Sequence, residues 1–487
     1  MSDDLPYLSA IDLSRQIRRG ERSPVEVMEA TLARIRDRDD AINAFVHVAT
    51  EEAMEAAEAA ERALETGGNL GPLHGVPVAA KDLEKVAGMP ATFGSAPYGD
   101  NVVDESEPWV ERVRAAGGII VGKTNTPEFG HKGTTDNLLF GATSTPFAPG
   151  RNAGGSSGGS AAAVSDGMVP LAQGSDGGGS IRIPAAWCGG FGIKPTYRRI
   201  PRKSRPDGFS HTPFSQLGPH ARSVEDAALM LSVMAGPHPS DPMLGPDDGT
   251  DYLAATRRGI RDLDVAYSPD LDVFPVDDRV AEVCRDATTA FEAAGAATAE
   301  IEIDHGLSLH DIEASWVAGF EVGFAELAEN AIENDGIDYL GADRERTTPS
   351  FARLIENGYE YDAVSYKRAD LVRTALFEAI QDVLSAYDLL ALPTLAVPPV
   401  ENDDEMGTTE GPTEINGVEV NPLVGWCLTY PFNLTGHPVA NVPAGFTDDG
   451  LPIGLQIVGP RWDDATVLAA SAAFERARPW AGAYPPR

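Results

Sequence analysis

The stretch GSDGGGSIRIPA, residues 174–185, sets three glycines directly before Ser180. Glycines in such a run let consecutive backbone N–H groups turn toward one spot, and that spot can hold an anion. The anion is either a phosphate or an oxyanion that forms transiently. A serine hydroxyl at the end of the run would stand beside those donors. Acyl transfer needs that pairing: a nucleophile, and donors aimed at the oxygen that becomes negative. A second loop of similar texture, NAGGSSGGSAAA (152–163), brings Ser156 and Ser157. A Gly/Ser run is commonly a flexible linker, but apolar segments flank both runs here, which argues for structured loops.

A serine hydroxyl needs a base. Lys81 is a lone lysine in the apolar segment VPVAAKDL, in a chain with only seven lysines. Burial disfavours the ammonium, so a buried lysine can act as a base near neutral pH. The competing account is structural: Lys81 snorkels from a strand end or pairs with Asp82.

Two other patterns imitate functional motifs. GGIIVGKT (117–124) has phosphate-loop spacing at Gly117, Gly122, Lys123 and Thr124. Such a loop follows a strand and opens a helix, whereas here Ile119–Val121 is itself strand-like and NTPEFG follows. GSSGG (155–159) fits G-x-S-x-G around Ser157, but the preceding APGRNA reads as loop, not as the strand a nucleophile elbow requires. The nine histidines fall in no HxxxH or HExxH spacing, so no metal site is expected.

These side chains need elements to position them. Residues 8–66 read as helices. Ser23, Pro24 and Glu26 form a capping box with proline at N1, and TEEAMEAAEAAERALE (50–65) reads as a surface helix. From about residue 72 short apolar runs alternate with helix-like segments. Strands are expected at 75–82, 117–124, 167–176, 262–267, 388–394, 438–443 and 451–458. Helices are expected at 108–117, 160–167, 277–294, 361–386 and 463–477, and surface loops at 236–251 and 401–418. Strand–helix alternation implies an α/β sheet. The sheet signals on either side of the loops look alike, which favours one domain.

The 487 residues include 74 acidic and 38 basic side chains, for a net charge of −36. The acids are dispersed, and the hydrophobic fraction is an ordinary 42%. A carboxylate-rich surface over a normal core suits a protein that stays soluble in strong salt. Nucleic acid is an unsuitable partner, because binding it needs a basic face. Cys188, Cys284 and Cys427 are far apart and form no CxxC, which fits a reducing cytosol. The N-terminus shows no basic and apolar leader. LLALPTLAVPPV (389–400) is proline-broken and too short to span a bilayer, which takes about 20 residues.

Together these pieces resemble the amidase signature hydrolases. The resemblance runs through GPLHGVPVAAKD, GKTNTPEFG, GGSSGGSAAAV, GSDGGGSIRIPAAWCG, GIKPT and PFNLTGHPVANVPAGFTDDGLPIGLQIVG, in order along nearly the whole chain. It implies a single large α/β domain, a central mixed β-sheet covered by helices on both faces. Within it, the helical part 8–66 precedes a catalytic core over about 70–235, and a part over about 260–487 completes the sheet and pocket. The family's catalytic set is a lysine, a serine after a cis peptide bond and a nucleophilic serine. On this sequence they fall on Lys81, Ser156 and Ser180, the two serines 24 residues apart as is usual in the family. The implied oxyanion hole is backbone N–H of Gly177, Gly178, Gly179 and Ser180, with Ser157, Asp176 and Arg182 in support. Gly177 departs from the threonine that many relatives carry, without removing a donor. No cofactor is implied.

The resemblance leaves two kinds of enzyme open. Glutaminase subunits of tRNA-dependent amidotransferases carry an aspartate before PxNLAG that grips the glutamine amino group; here Trp426 aligns with it, in VGWCLTYPFNLTG. Their basic KRR segment is also absent. A stand-alone cytoplasmic amidase acting on a neutral or apolar acyl group is therefore the favoured reading, with Trp187, Trp426 and Tyr430 as pocket walls. A binding protein with a dead site is the third alternative, disfavoured by three intact catalytic positions. The acyl group, the leaving group and the oligomeric state stay open, a homodimer among the options.

Overall fold

Buried parallel strands flanked by sheet on both sides need apolar side chains on both faces. The segment Pro77–Lys81 obeys this, with all five residues buried. Val78 and Ala80 enter one core and Ala79 another, as strand alternation demands. The computed structural model describes residues 5–485 apart from 69, 204–207, 210–214 and 484. In chain order its strands are β1 (Phe45–Val48), β2 (Pro77–Lys81), β3 (Ile119–Thr124), β4 (Leu171–Asp176), β5 (Phe191–Lys194), β6 (Gln216–Ala221) and β7 (Asp264–Tyr267). They continue as β8 (Ala297–Glu300), β9 (Leu389–Pro393), β10 (Glu414–Ile415), β11 (Val418–Glu419), β12 (Val439–Phe446) and β13 (Pro452–Val458).

Eleven of these strands form one mixed sheet in the order β1-β3-β2-β4-β6-β5-β12-β13-β9-β7-β8, while β10 and β11 pair as a separate hairpin. The sheet runs through the N-terminal, middle and C-terminal stretches, and the chain forms a single domain. Toward the β1 edge β2 lies parallel to both β3 and β4, and β4 lies antiparallel to β6. This order puts the C-terminal ends of β2 and β4 side by side. Lys81 ends β2, and the glycine run follows β4.

The helices follow local chemistry. Helix Pro24–Ile42 starts at Ser23 with the expected capping box, and helix Thr50–Glu65 buries only Ala53 and Ala57. The segment 277–294 forms two helices, Asp278–Ala287 and Thr289–Ala293. Residues 8–66 are not purely helical: Phe45–Val48 is strand β1, held antiparallel to β3 at the sheet edge. A strand of four residues carries too little periodicity to show in sequence. The hairpin β10–β11 likewise interrupts the expected loop 401–418. The long helix Leu309–Asp335 begins at a second capping box, Ser308 with Asp311, and ends at Gly336 with φ +70°. It lies over the site and brings aromatic side chains to it.

Candidate active site

Lys81 is fully buried at the end of β2. Its Nζ donates to Ser156 Oγ at 2.7 Å and to Ser175 Oγ at 3.1 Å. Both acceptors are neutral hydroxyls. Burial pulls its pKa down from 10.5 to about 7, with Glu84 raising it and Arg202 lowering it in smaller measure. Lys81 therefore holds a substantial neutral fraction at neutral pH. The pairing with Asp82 does not form: Asp82 binds Lys123 Nζ at 2.9 Å instead. Lys123 also donates to the Glu84 and Pro90 carbonyls. It lies inside β3, so the phosphate-loop look-alike is a buried strand with a structural ion pair.

Ser156 follows a cis peptide bond after Gly155. A cavity of about 220 Å³ is lined by Ser156, Ser175, Gly177, Gly178 and Ser180 on one side. Among the described residues no hydrogen bond joins Ser156 to Ser180, although both face this cavity. Gly130 packs close beside them, and a Cβ there would stand 2.9 Å from Ser156 Oγ. Ser157 knits the two glycine loops: its N–H donates to Ser180 O at 3.1 Å, and its hydroxyl bonds both the carbonyl and the N–H of Ser175.

Asp176 and Arg182 brace the loop. All five guanidinium N–H groups are taken: two by Asp176, one each by Thr429 O, Gln456 Oε1 and Asn433 Oδ1. Arg182 is fully buried and has no donor left for a substrate. Burial alone would raise Asp176, but the adjacent Arg182 charge and its hydrogen bonds carry the carboxyl down to about 2. The same carboxylate accepts the Gly179 N–H at 2.7 Å. The Gly179 N–H, expected as an oxyanion donor, is thus engaged internally, and Gly179 does not line the cavity.

Among the described residues no histidine takes the place of the lysine. His131 lines the cavity, but Nδ1 lies 2.7 Å from Glu128 O and Nε2 2.7 Å from Ser350 Oγ. Burial pushes His131, His220 and His437 each down to about 3. His74 bonds the Ala60 carbonyl.

The opposite wall differs from the expectation. Trp187, Trp426 and Tyr430 are not cavity walls but core. Trp187 and Trp426 stack at 4.9 Å, and their indole N–H groups bond the carbonyls of Val397 and Pro422. Trp426 lies directly behind the wall, since a Cβ on Gly133 would meet it at 2.9 Å. Tyr430 is fully buried beside Trp316. The wall is made by Trp316, Phe320 and Phe324 of the long helix, with Leu83, Phe129, Ile183, Leu423, Val424 and Cys427. Trp316 and Phe320 stack at 4.0 Å. Their spacing at i, i+4 and i+8 is one face of a helix, a signal present in the sequence but not assigned there. Gly177 fits this wall, because a Cβ would stand 2.9 Å from Phe320 Cζ.

A family model described as Amidase matches residues 26–468. An acylamidase of Rhodococcus erythropolis is 39% identical over 99% of this chain and 98% of its own length. A glutamyl-tRNA(Gln) amidotransferase subunit from Chloroflexus aurantiacus is 34% identical over 98% of each. Among solved structures, a bacterial aryl acylamidase of the amidase signature enzymes superposes with TM-score 0.94 at 38% identity, covering 98% of this chain and 97% of its own.

Proposed function

The chain belongs to the amidase signature family of amide hydrolases, and on that premise we propose a relay from Ser180 through Ser156 to Lys81. The observation that carries the reading is the short bond from a buried, partly neutral lysine to Ser156. Ser180 Oγ attacks the amide carbonyl carbon. Its proton passes to Ser156 Oγ as the Ser156 proton passes to Lys81 Nζ. The tetrahedral intermediate collapses when the relay runs backwards and protonates the leaving nitrogen, which departs as ammonia or an amine. Water then attacks the acyl carbon and gives a proton to the same relay, which returns a proton to Ser180 Oγ as the ester C–O bond breaks and the acid leaves. The gap between Ser156 and Ser180 closes as substrate arrives, since such bonds tighten in the Michaelis complex.

The substrate reading follows the wall. The long-helix wall is apolar and aromatic, and the charged side chains that also line the cavity, Lys132, Arg198 and Arg202, are all basic; a neutral acyl or aryl amide therefore fits better than an amino acid, whose ammonium would lack a carboxylate partner. The similarity to an acylamidase and to an aryl acylamidase points the same way. The 34% identity to an amidotransferase subunit keeps a second reading in play, glutamine hydrolysis within a complex. Trp426 does not touch the cavity, so the distinction rests on its neighbours Leu423, Val424 and Cys427. We read the enzyme as acting alone in a reducing cytoplasm; its three cysteines are buried and unpaired. Among the described residues no helix is long and apolar enough to cross a membrane.

The test is a panel of simple, aryl and glutamine amides. Turnover of the neutral amides, lost in Ser180→Ala with the fold retained, is the expected result. Efficient glutaminase activity that depends on an added protein partner would replace this reading with the second.

A further inference from the structure

Four consecutive carbonyls of the glycine loop are each held, three by side chains distant in sequence and one by a backbone N–H of the next turn. Asp176 O accepts Asn433 Nδ2 at 2.9 Å, and Gly177 O accepts Trp316 Nε1 at 3.0 Å. Gly178 O accepts Thr429 Oγ1 at 2.6 Å, and Gly179 O accepts the Ile183 N–H at 2.7 Å. The peptide units here are trans. A trans unit is planar, with its C=O antiparallel to the N–H of the next residue. A bond that fixes one carbonyl therefore fixes the direction of the following N–H. The four bonds set the N–H directions of Gly177, Gly178, Gly179 and Ser180.

Of these four, the Gly179 N–H ends on Asp176. Among the described residues no protein acceptor takes the other three. Gly177, Gly178 and Ser180 line the cavity, and Gly179 does not. We propose that, in the oxyanion hole the family resemblance implies, Trp316 aims the Gly178 N–H at the oxyanion by holding the Gly177 carbonyl.

Trp316 is thus a positioning residue as well as a cavity wall. The contact is close: a Cβ on Gly178 would stand 2.5 Å from Trp316 Cζ2, so the indole can reach the loop only over a glycine. Its ring stacks on Phe320, which fixes its place. One side chain from a helix far along the chain couples the substrate wall to the donor geometry. Thr429 controls a different unit, the one ending in the Gly179 N–H, and that donor serves Asp176.

This inference rests on Ser180 as nucleophile, and the experiment separates the two. Trp316 is replaced by its benzothiophene isostere, which keeps the ring shape and deletes the N–H; Trp316→Phe is made in parallel. An aryl boronic acid, which forms a tetrahedral adduct on an active serine, serves as the transition-state probe. Loss of one oxyanion donor costs about 10²–10³-fold in kcat, so loosening one is expected to cost about tenfold or more. The isostere should lower kcat and boronate affinity in parallel, with KM little changed and the thermal midpoint retained. Unchanged kcat and boronate affinity, or a rise in KM alone, would overturn the role of Trp316. Thr429→Val should cost less than the isostere; a larger loss would return Gly179 to the donor set. If Ser180→Ala stayed active, the nucleophile itself would be wrong, whatever the outcome at Trp316.

Discussion

Lys81 and Lys123 stand on neighbouring strands, β2 and β3, and both are fully buried. In sequence each is a lone lysine closing an apolar run. Their partners separate them. Lys123 meets a carboxylate, Asp82, at 2.9 Å and two backbone carbonyls, so its three N–H groups are matched by one charge and two dipoles. Asp82 is itself held by Thr92. Lys81 meets two hydroxyls and no carboxylate. A buried cation with a counter-ion is a structural pair; one surrounded by neutral hydroxyls gives up its proton readily. Burial alone therefore does not make a base. The identity of the nearest acceptor does.

The sharpest way to break this contrast is to remove each lysine. Lys81→Met is expected to lower kcat by at least about 10³-fold, as loss of a relay member does. It should fold as well as the parent, because it removes a burial penalty. Lys123→Met leaves Asp82 buried without its partner, and breaking a buried pair costs about 3–5 kcal/mol. Its midpoint in urea should fall steeply, while the folded fraction retains most of its activity. Adding Asp82→Leu to Lys123→Met should recover part of that loss. If Lys81→Met unfolded the protein while Lys123→Met abolished turnover, the two roles would have to be exchanged.

A smaller effect comes from pH. With Lys81 near 7, kcat/KM for a neutral amide should fall about tenfold per unit on the acid side of pH 7, as the base is protonated. Stability moves in the same direction. Between about pH 7 and 10.5 the unfolded chain holds a proton on Lys81 that the folded chain has shed. Stability from this group therefore rises with pH across that window, and the burial penalty is present in full below it. Urea titrations of the parent and Lys81→Met at several pH values would show it; a parent slope no steeper than that of the variant would contradict it.

Salt should act on the surface and spare this pair. At net −36 the folded surface repels itself, and about 1 M salt shortens the screening length to roughly 3 Å. The thermal midpoint is expected to rise from dilute buffer to molar KCl, by a similar amount in the parent and in Lys81→Met. A chloride–sulfate comparison at equal ionic strength separates screening from strengthened burial. Circular dichroism and activity unchanged in dilute buffer would remove the halophilic explanation of the acidity.

The residues of the proposed relay, Lys81, Ser156 and Ser180, stand out in the sequence because each lies in a short motif of distinctive composition. The central strands are legible for the same reason: their apolar runs are local. Strands β1, β5 and β8, of four residues each, are not; nor is β6, six residues long and interior to the sheet, whose sequence QLGPHA carries a glycine and a proline; and the helix Leu309–Asp335 escapes notice despite its capping box. That omission moves the pocket wall. Trp187, Trp426 and Tyr430 lie near the motifs in sequence and so read as walls; the wall is the Trp316–Phe320–Phe324 stripe. An aromatic is suited equally to core and to pocket, and only its neighbours in space decide which.

By itself the sequence determined the chemical parts: a lysine in an apolar run, two serines in glycine loops, and a net charge of −36. These depend on residue type and on spacing within about a dozen positions, where local sterics dominate. The tertiary structure decided what each part touches. It gave Asp82 to Lys123 and left Lys81 to the hydroxyls. It turned the Gly179 N–H onto Asp176, and it drew Trp316 across to the Gly177 carbonyl. Such choices are made between segments distant along the chain, where competition for each donor and acceptor is settled only by packing.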